Sequence, residues 1–207
     1  ALAKRLSKLN AADIGLHVQS RHGLGYRIEG GLDLLTDGAG TAHPALVNYA
    51  GLSILQQCDS TNTWLGEHPD FRVALAEYQS QGRGRRGRSW QAPYGQNLML
   101  SLRHRYPHWP DHLPALSLVL GLAVVRCLDQ AGIPARIKWP NDIWLAEAKL
   151  AGLLVETRGE VGSGCELIVG LGLNVNMCQA SSIGQAWTSL KLAGFRSQRA
   201  ELAAGLI

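Results

Sequence analysis

Apolar residues recur at two different spacings along the chain. Leu98, Leu100 and Leu102 alternate with other residues, which predicts a strand with one buried face over 97–105. Residues 112–132 instead carry apolar side chains at helical spacing and end at a glycine that suits a helix C-cap. Short apolar runs predict further strands at 53–58, 72–79, 135–139, 143–145, 150–157 and 165–173. Strands and helices in this order predict an α+β domain in which a mixed sheet packs on helices.

Two shorter helices and one sheet edge are also predicted. Asp59 or Ser60 is expected to cap a helix that runs through Trp64. A last helix is expected to begin near Ser189. The long apolar stretch 165–176 is expected to be a terminal strand of the sheet, and an unprotected edge of that kind recruits partner chains.

The beginning of the chain differs from the remainder in charge. Residues 1–27 carry five basic side chains and one acidic side chain, whereas 28–207 carry 15 of each. Leucines at helical spacing predict a helix over 1–9, and 16–30 predicts a β-hairpin with basic residues near its tip. A helix followed by a basic hairpin is the shape in which a winged helix-turn-helix ends. This pattern favours a nucleic-acid contact, and a solubilising segment is the alternative.

Three regions follow from these patterns, and the composition places them in a broad class. Residues 1–30 are interpreted as a partial winged helix-turn-helix, 31–50 as a linker, and 51–207 as the main domain. The sequence has no apolar stretch of about 18 residues and no signal peptide at its beginning, so no membrane partner is expected. Its four cysteines are dispersed without a CxxC pair, which favours a reduced, cytoplasmic protein over a disulfide-linked or zinc-binding one.

The stretch GRGRRGRSW, residues 82–90, is the strongest candidate for chemistry and is called the arginine loop below. Its glycines let backbone N–H groups approach an anion, and its four arginines add charge-assisted hydrogen bonds. It lacks the order of a Walker A loop and is not followed by the βαβ unit of a dinucleotide site. A solvated loop or a non-specific RNA-binding patch is the alternative.

Three other stretches each permit a functional and a structural interpretation. KWPNDIWL, 138–145, holds a lysine and a carboxylate beside a tight turn, or is a plain hairpin. In AKLAGLLVE, 148–156, Lys149 precedes a buried strand, where a lysine is commonly a solvated strand end. DSTNTW, 59–64, is a helix-cap signal or a set of small polar groups that bind a compact polar head group.

Taken together and in this order, these stretches, with NLMLSL and VGLGLNVN, resemble the biotin–protein ligases over roughly residues 52–207. The resemblance is to the subgroup that doubles as a biotin-operon repressor. It implies a class II synthetase-like ligase fold. It also implies that biotin is activated with ATP and Mg²⁺ to biotinyl-5′-AMP and is then passed to one lysine of a biotin carboxyl carrier protein. A lipoate–protein ligase is similar in fold, but the order of the arginine loop and the KWPND turn argue for biotin.

The resemblance also implies roles for individual residues. Trp90 is expected to pack on adenine, Asp142 to lie on the metal side, and Lys149 to contact the biotin carboxylate and the acyl phosphate. The expected biotin-binding residues are Ser60, Thr61, Asn62, Gln79, Arg83, Gly84, Arg85, Lys149 and Gly152. The expected ATP- and adenylate-binding residues are Arg85, Arg86, Trp90, Lys138, Asn141, Asp142 and Asn174, with Asp142 as the Mg²⁺ ligand. The charges expected to act in catalysis are those of Lys149, Arg85 and Lys138.

Outside the main domain the resemblance is partial. The sequence HGLGYRI lies where the wing of the repressor subgroup would be, so operator DNA is a possible partner of the full-length protein. An incomplete helix-turn-helix cannot place a recognition helix in a groove. The family continues into a small C-terminal β-barrel, which is expected to be absent from this chain. Repressor-type members dimerise side by side when the adenylate is bound, and we expect a ligand-linked homodimer here too.

Overall fold

The computed structural model describes residues 14–16, 18–28, 32–36, 40–110, 113–159, 164–180 and 183–207. These residues form a two-stranded hairpin, a seven-stranded mixed sheet and three α-helices. The hairpin strands are β1 (Val18–Arg21) and β2 (Gly25–Ile28). The sheet strands are β3 (Leu52–Leu55), β4 (Val73–Ala76), β5 (Leu98–Tyr106), β6 (Arg136–Lys138), β7 (Asp142–Leu145), β8 (Ala148–Arg158) and β9 (Cys165–Leu173). The helices are α1 (Thr61–Glu67), α2 (Leu113–Gln130) and α3 (Arg199–Leu206).

The strands lie in the order β3-β4-β5-β9-β8-β7-β6, with β3 and β4 parallel and the other neighbours antiparallel. Helix α1 covers one face of β4, β5 and β9, while α2 packs on β6, β7 and β8 and α3 contacts α2 and β5. The predicted α+β architecture is confirmed. Leu98 and Leu100 of β5 lie in the main hydrophobic core, but the prediction of one buried face is wrong, because Met99 and Ser101 on the other face are buried as well.

Two predictions about the last third of the chain are wrong. The stretch 165–176 does not form a terminal strand, because β9 pairs with β5 on one side and with β8 on the other. A strand buried on both faces reads as a continuous apolar run, which explains why residues 167–173 of β9 are all aliphatic or glycine. The last helix does not begin near Ser189. Residues 190–194 form turns that end at Gly194 with a φ of 87°, and α3 begins at Arg199.

The remaining predicted elements agree with the structure to within a few residues. The hairpin predicted within 16–30 is confirmed, and the described part of the long helix ends just before Gly132, which has a φ of 75°. The helix predicted over 1–9 lies outside the described residues. In the predicted linker, Leu35 and Leu46 are buried in the hydrophobic core of the main domain. Within the described ranges, no helix has the length and hydropathy needed to cross a membrane.

Candidate functional site

Three glycines leave part of one face of the two central strands without side chains. Gly170 and Gly172 lie two residues apart on β9 and therefore share a face, and Gly152 of β8 pairs with Gly172. A Cβ atom at Gly172 would lie 2.7 Å from Nε1 and from Cζ2 of Trp90, so the indole packs directly on the backbone there. We call this surface the glycine face. Because it faces the α1 side of the sheet, it forms the floor of the candidate site.

A network of neutral polar side chains borders the glycine face at the start of α1. We call this network the polar wall. Gln79 accepts hydrogen bonds at Oε1 from the backbone N–H (2.7 Å) and the hydroxyl (3.0 Å) of Thr61. The hydroxyl of Ser101 bonds to Thr61 Oγ1 (2.7 Å) and to Asn62 Oδ1 (2.6 Å). A Cβ at Gly170 would overlap the amide of Asn62, so the glycine permits this close approach. Because Thr61, Asn62 and Ser101 are buried and bonded to one another, their side chains are held in fixed orientations.

Ser60 belongs to the same segment but has a different role in the structure. It occupies the N-cap position of α1, as predicted, yet its side chain makes no capping hydrogen bond. It is 4% exposed. The helix start was therefore predictable from the DSTN sequence, but the hydroxyl of Ser60 does not hold the helix terminus.

The arginine loop folds across this wall. Its two limbs are joined by backbone hydrogen bonds from Gly84 N to Arg88 O (2.7 Å) and from Trp90 N to Gly82 O (2.8 Å). Between them, Arg85 to Gly87 form a single 3₁₀ turn in which Arg86 has a φ of 57°. The hydrogen bonds and the turn thus define the backbone of the loop, and its arginines lie between Gly82 and Trp90.

Two arginines of the loop contact other elements, and one of them reaches a predicted site residue. Arg83 donates to Thr63 Oγ1 (3.0 Å) and pairs with the carboxylate of Glu156 (3.2 Å). Arg85 donates to Asn141 Oδ1 at 3.2 Å and so joins the loop to the KWPND turn. Arg86 is exposed.

The KWPND turn and the start of β8 supply the fixed charges. Lys149 Nζ lies 2.8 Å from Asp142 Oδ1 and 5.7 Å from the centroid of the Trp90 ring. Across the hairpin, Lys138 pairs in register with Asp142, and its Nζ lies 3.6 Å from the ring centroid of Trp144. Asn141 Nδ2 donates to the carbonyl of Leu153 at 2.7 Å, which fixes the turn on β8. This region therefore holds one lysine in an ion pair with Asp142 and a second, exposed lysine on the neighbouring strand.

Gly152 explains how the lysine fits against the sheet. A Cβ at this position would lie 3.2 Å from Lys149 Cε and 3.3 Å from its Nζ. The lysine side chain thus lies along the backbone of its own strand, beside the glycine face. The side chains of Lys149 and Asp142 are only 14% and 21% exposed, so their ion pair is partly shielded from water.

Asn174 is the predicted site residue that the structure leaves apart from the others. Its amide oxygen accepts from Asn97 (3.1 Å) and its amide nitrogen donates to the carbonyl of Thr188 (2.9 Å). It is 3% exposed. Its adenylate-binding role stays a prediction, and the observed contacts describe a residue that joins the end of β9 to neighbouring segments.

Several residues of the site were not predicted from the sequence. Ser101, Gly170 and Gly172 form part of the wall and the floor, and Glu156 binds both Asn62 and Arg83. The i, i+2 spacing in VGLGL and the position of Ser101 opposite the leucines of β5 were available signals, because alternate residues of a strand share a face. Which glycines become neighbours depends on which strands pair with each other. This pairing cannot be predicted from the local sequence.

Cys58, just before the polar segment, is not an available nucleophile. Burial raises the pKa of its thiol to about 12, with a further contribution from the nearby charge of Asp59. Because the thiolate is the reactive form, the thiol stays protonated near neutral pH. The described parts of the chain contain no group of three or more His, Cys, Asp and Glu side chains placed to hold a metal ion.

A cleft of about 1360 Å³ opens beside the site. Gln79, Gly82 and Trp90 line one side, and segments 176–180 and 195–198 line the other. A cleft of this volume exceeds what a drug-sized ligand needs, which is roughly 300–1,000 Å³. Of the predicted site residues, Gln79 and Trp90 line this cleft, whereas Thr61, Asn62 and Lys149 do not.

The chain is similar to known biotin ligases in sequence and in structure. It is 38% identical to the bifunctional ligase/repressor BirA of Salmonella typhimurium over all of its own length and 65% of that protein. It is 34% identical to the biotin–[acetyl-CoA-carboxylase] ligase of Mycobacterium tuberculosis over 75% of this chain and 61% of that one. It thus spans less than two thirds of the length of these relatives.

Among solved structures, the biotin protein ligase of Aquifex aeolicus in complex with biotin and ATP is 33% identical, with a TM-score of 0.66 over 76% of this chain and 67% of that chain. The family model described as Biotin/lipoate A/B protein ligase matches residues 54–174. That match runs from β3 through the arginine loop and the KWPND turn to the end of β9. This chain therefore belongs to the biotin/lipoate A/B protein ligase family.

Proposed function

We propose that this chain carries the catalytic domain of an ATP-dependent biotin–protein ligase, which forms biotinyl-5′-AMP and transfers biotin to a lysine of a biotin carboxyl carrier protein. One observation carries the proposal. A buried wall of neutral hydrogen-bonding groups and two cations, the partly shielded Lys149 and the exposed Arg85, border one glycine face. The names of the ligases in the comparisons support the same reaction.

The polar wall suits the ureido head group of biotin. Thr61, Asn62, Gln79 and Ser101 supply both donors and acceptors within one connected network. A site built to hydrogen-bond a ligand rejects an analogue that lacks the bonding groups, because its own polar groups are left unpaired. The dithiolane ring of lipoate offers no such groups, so the wall favours biotin over lipoate.

The cations suit the first step, in which a carboxylate oxygen of biotin attacks the α-phosphorus of ATP. A carbonyl–oxygen–phosphorus linkage forms and the bond to pyrophosphate breaks. Two anions must approach each other, so Lys149, Arg85 and Lys138 would screen their repulsion and stabilise charge on the phosphorus oxygens. Asp142 holds the ammonium of Lys149 in place at 2.8 Å before any substrate arrives.

The donor set around Asp142 fits a Mg²⁺ ion held mainly by phosphates and water. Asp142 Oδ1 pairs with Lys149, which leaves Oδ2 as the carboxylate oxygen for a metal. Mg²⁺ commonly uses one or two carboxylates together with substrate phosphates. When bound, the ion would supply charge neutralisation to the phosphates. Trp90 is the proposed adenine contact, and its ring lies at the edge of the large cleft.

In the second step the lysine amine of the carrier attacks the acyl carbon, and AMP leaves. The nucleophiles of both steps belong to substrates, which agrees with the protonated thiol of Cys58. Water would hydrolyse the mixed anhydride, so the arginine loop is proposed to cover it. We expect the loop to be more mobile without ligand than with it.

Calorimetry with biotin, followed by biotin plus ATP, tests the proposal directly. We expect binding of biotin, and heat from turnover with pyrophosphate release once ATP and Mg²⁺ are added. A carrier domain added last should gain the mass of one biotinyl group. If lipoate binds and biotin does not, the substrate is wrong while the family reaction survives. If neither binds, the proposal fails.

A second function, biotin-responsive repression, is favoured by the hairpin and by the name of the Salmonella relative. Arg27 and His22 of the hairpin are exposed, in a position that suits a wing on DNA. We propose operator binding for the full-length protein, with biotinyl-AMP as the corepressor. A gel shift should show sequence-specific binding that increases with the adenylate. Binding that is only salt-sensitive and independent of sequence contradicts it.

A further inference from the structure

Glu156 contacts both the polar wall and the arginine loop. Among the described residues, no other carboxylate contacts these two parts of the site. It lies on β8, where it pairs in register with Ile168 of β9. Ile168 packs with Leu65 of α1, so this register position faces the α1 side of the sheet. The carboxylate therefore lies next to the glycine face, on the same side as the polar wall.

The first contact of Glu156 fixes an amide of the polar wall. Its Oε2 accepts a hydrogen bond from Asn62 Nδ2 at 2.8 Å, while Asn62 Oδ1 receives the hydroxyl of Ser101 at 2.6 Å. Asn62 is 2% exposed, and its other Nδ2 contact, with Leu154 O, is 3.5 Å long. A carboxylate accepts but cannot donate, so it determines which end of the Asn62 amide is the donor.

The second contact holds the arginine loop. Arg83 NH2 lies 3.2 Å from Glu156 Oε1 and 3.3 Å from Oε2, and it also donates to Thr63 Oγ1 at 3.0 Å. Thr63 is in α1, directly after the polar segment. These contacts hold the first limb of the loop to α1 and β8.

We infer that Glu156 is a positioning residue for the ligase reaction: it orients the Asn62 amide and holds the Arg83 limb of the arginine loop against α1. This inference rests on the proposed function for its effect on biotin. With the first limb held, the residues from Arg85 onward can move over an adenylate while Gly82 and Arg83 stay beside the head group. Glu156 itself does not touch the reacting atoms.

Limited digestion of the unliganded protein with trypsin tests the loop contact, because the arginines at 83–88 are cleavage sites. We expect Glu156→Gln to accelerate the first cleavage within 83–88 about two- to fivefold, the range for an exposed ion pair. The ratio of the two rates should fall towards one as NaCl rises from about 0.01 to 1 M, since the Debye length shrinks from about 30 to 3 Å.

Glu166→Gln is the matched control. It also removes a carboxylate charge from a strand of the sheet, but Glu166 pairs with Arg103 and Arg105, at 3.0 and 3.1 Å, and not with the loop. We expect this variant to unfold at a lower temperature and to be cleaved within the loop at the wild-type rate.

The second measurement uses biotin and compares two substitutions at the same position. Glutamine keeps an oxygen that accepts from Asn62, whereas Glu156→Ala leaves a buried N–H without a good acceptor. We expect the KM for biotin in pyrophosphate release to rise about tenfold in Glu156→Ala and less than about threefold in Glu156→Gln. In both variants kcat should change less than KM, because Glu156 acts on positioning and not on the transferred charge.

Different results would contradict the role of Glu156 and the proposed function. Loop cleavage at the wild-type rate in Glu156→Gln overturns the loop contact, and equal KM changes in the two variants overturn the orientation of Asn62. If Glu156→Ala does not fold, the glutamine variant and its salt dependence still decide the loop contact. Wild-type protein that binds no biotin would refute the proposed function, while the digestion, which needs no ligand, still tests Glu156.

Discussion

Replacing Lys149 by glutamine removes one charge from the centre of the site and keeps most of the side-chain length. In the structure the ammonium lies 2.8 Å from Asp142 Oδ1, and both side chains are largely shielded from water. The substitution therefore has two effects on the anionic substrates. It removes a cation, and it leaves the carboxylate of Asp142 unneutralised beside the incoming biotin carboxylate and α-phosphate.

The expected magnitude follows from the distance and the shielding. A unit charge about 4 Å away contributes roughly 4 kcal/mol at an effective dielectric constant of about 20. Loss of one preorganised donor to a developing oxyanion commonly costs about 2.7–4 kcal/mol, or two to three orders of magnitude in rate. We expect adenylation by Lys149→Gln to fall by about 10²–10³-fold. Lys149→Arg keeps the charge and should retain more activity.

Pyrophosphate release with biotin and ATP, in the absence of a carrier, is the appropriate assay because it isolates the first step. Arg126→Gln is the control for loss of one positive charge, since Arg126 is an exposed residue of α2 on the opposite face of the sheet. Thermal unfolding of each variant separates lost chemistry from lost structure. Release by Lys149→Gln within about threefold of the wild-type rate would refute the electrostatic role, because one missing donor should cost far more.

Three further predictions concern the loop, the floor and the thiol. Arg85→Gly should loosen the hold on biotinyl-AMP and label lysines of bystander proteins; adenylate retention equal to wild type after rapid filtration would contradict this. Gly172→Ala should displace the Trp90 ring, destabilise the fold by about 1–3 kcal/mol and weaken biotin binding, whereas Gly184→Ala, with no atom within 4 Å of its added Cβ, should do neither. Because the folded pKa of Cys58 is raised to about 12 from 9.0, its contribution to stability is present below about pH 9 and is lost as the pH rises towards 12. At pH 8, iodoacetamide should therefore alkylate exposed Cys178 much faster than Cys58, as mass spectrometry of the peptides can measure.

The ligand-linked homodimer remains a prediction, but its structural basis has changed. The strand β9 cannot pair with a second chain because both of its sides are occupied within the sheet. The end strands of the sheet are β3 and β6, and Arg136 and Lys138 of β6 are exposed. Sedimentation velocity with and without biotinyl-AMP decides the matter, and a monomer at every concentration in both conditions would exclude the coupling.

The local sequence pattern was sufficient to predict most of the helices and strands and to identify the charged residues of the candidate site. The alternation around Leu100 and the helical spacing before Gly132 placed β5 and α2 to within a few residues, because each pattern depends on one periodicity. The arginines and lysines could be identified as candidate site residues because they lie within short stretches of the sequence. The last helix was misplaced because Ser189 does close a local turn, accepting from Leu192 N at 3.1 Å, without a helix following it.

The contacts that could not be predicted from the sequence are those that depend on the order of the strands in the sheet. Gly152 and Gly172 are 20 positions apart in the sequence and become neighbours only because β8 pairs with β9. Glu156 likewise meets Asn62 across a separation of 94 residues. Contacts of this kind depend on the register between strands, and a shift of one residue would turn each side chain to the opposite face.

The predicted linker shows why a loop-like composition does not place a segment outside a domain. Asp33 accepts two hydrogen bonds from Arg199, one at its carboxylate from the backbone N–H (2.8 Å) and one at its carbonyl from Nε (2.7 Å). Arg199 is 0% exposed and also donates to the carboxylate of Glu77, whose other oxygen accepts the backbone N–H of Leu35 at 2.7 Å. Removing one partner of a buried charge pair leaves the other uncompensated, at a cost of about 3–5 kcal/mol. Residues 32–36 are therefore bound to Arg199, the first residue of α3, and to Glu77, which directly follows β4. Because Glu77 lies two positions before Gln79 of the polar wall, a deletion within 32–36 should disturb the proposed biotin site as well as the fold.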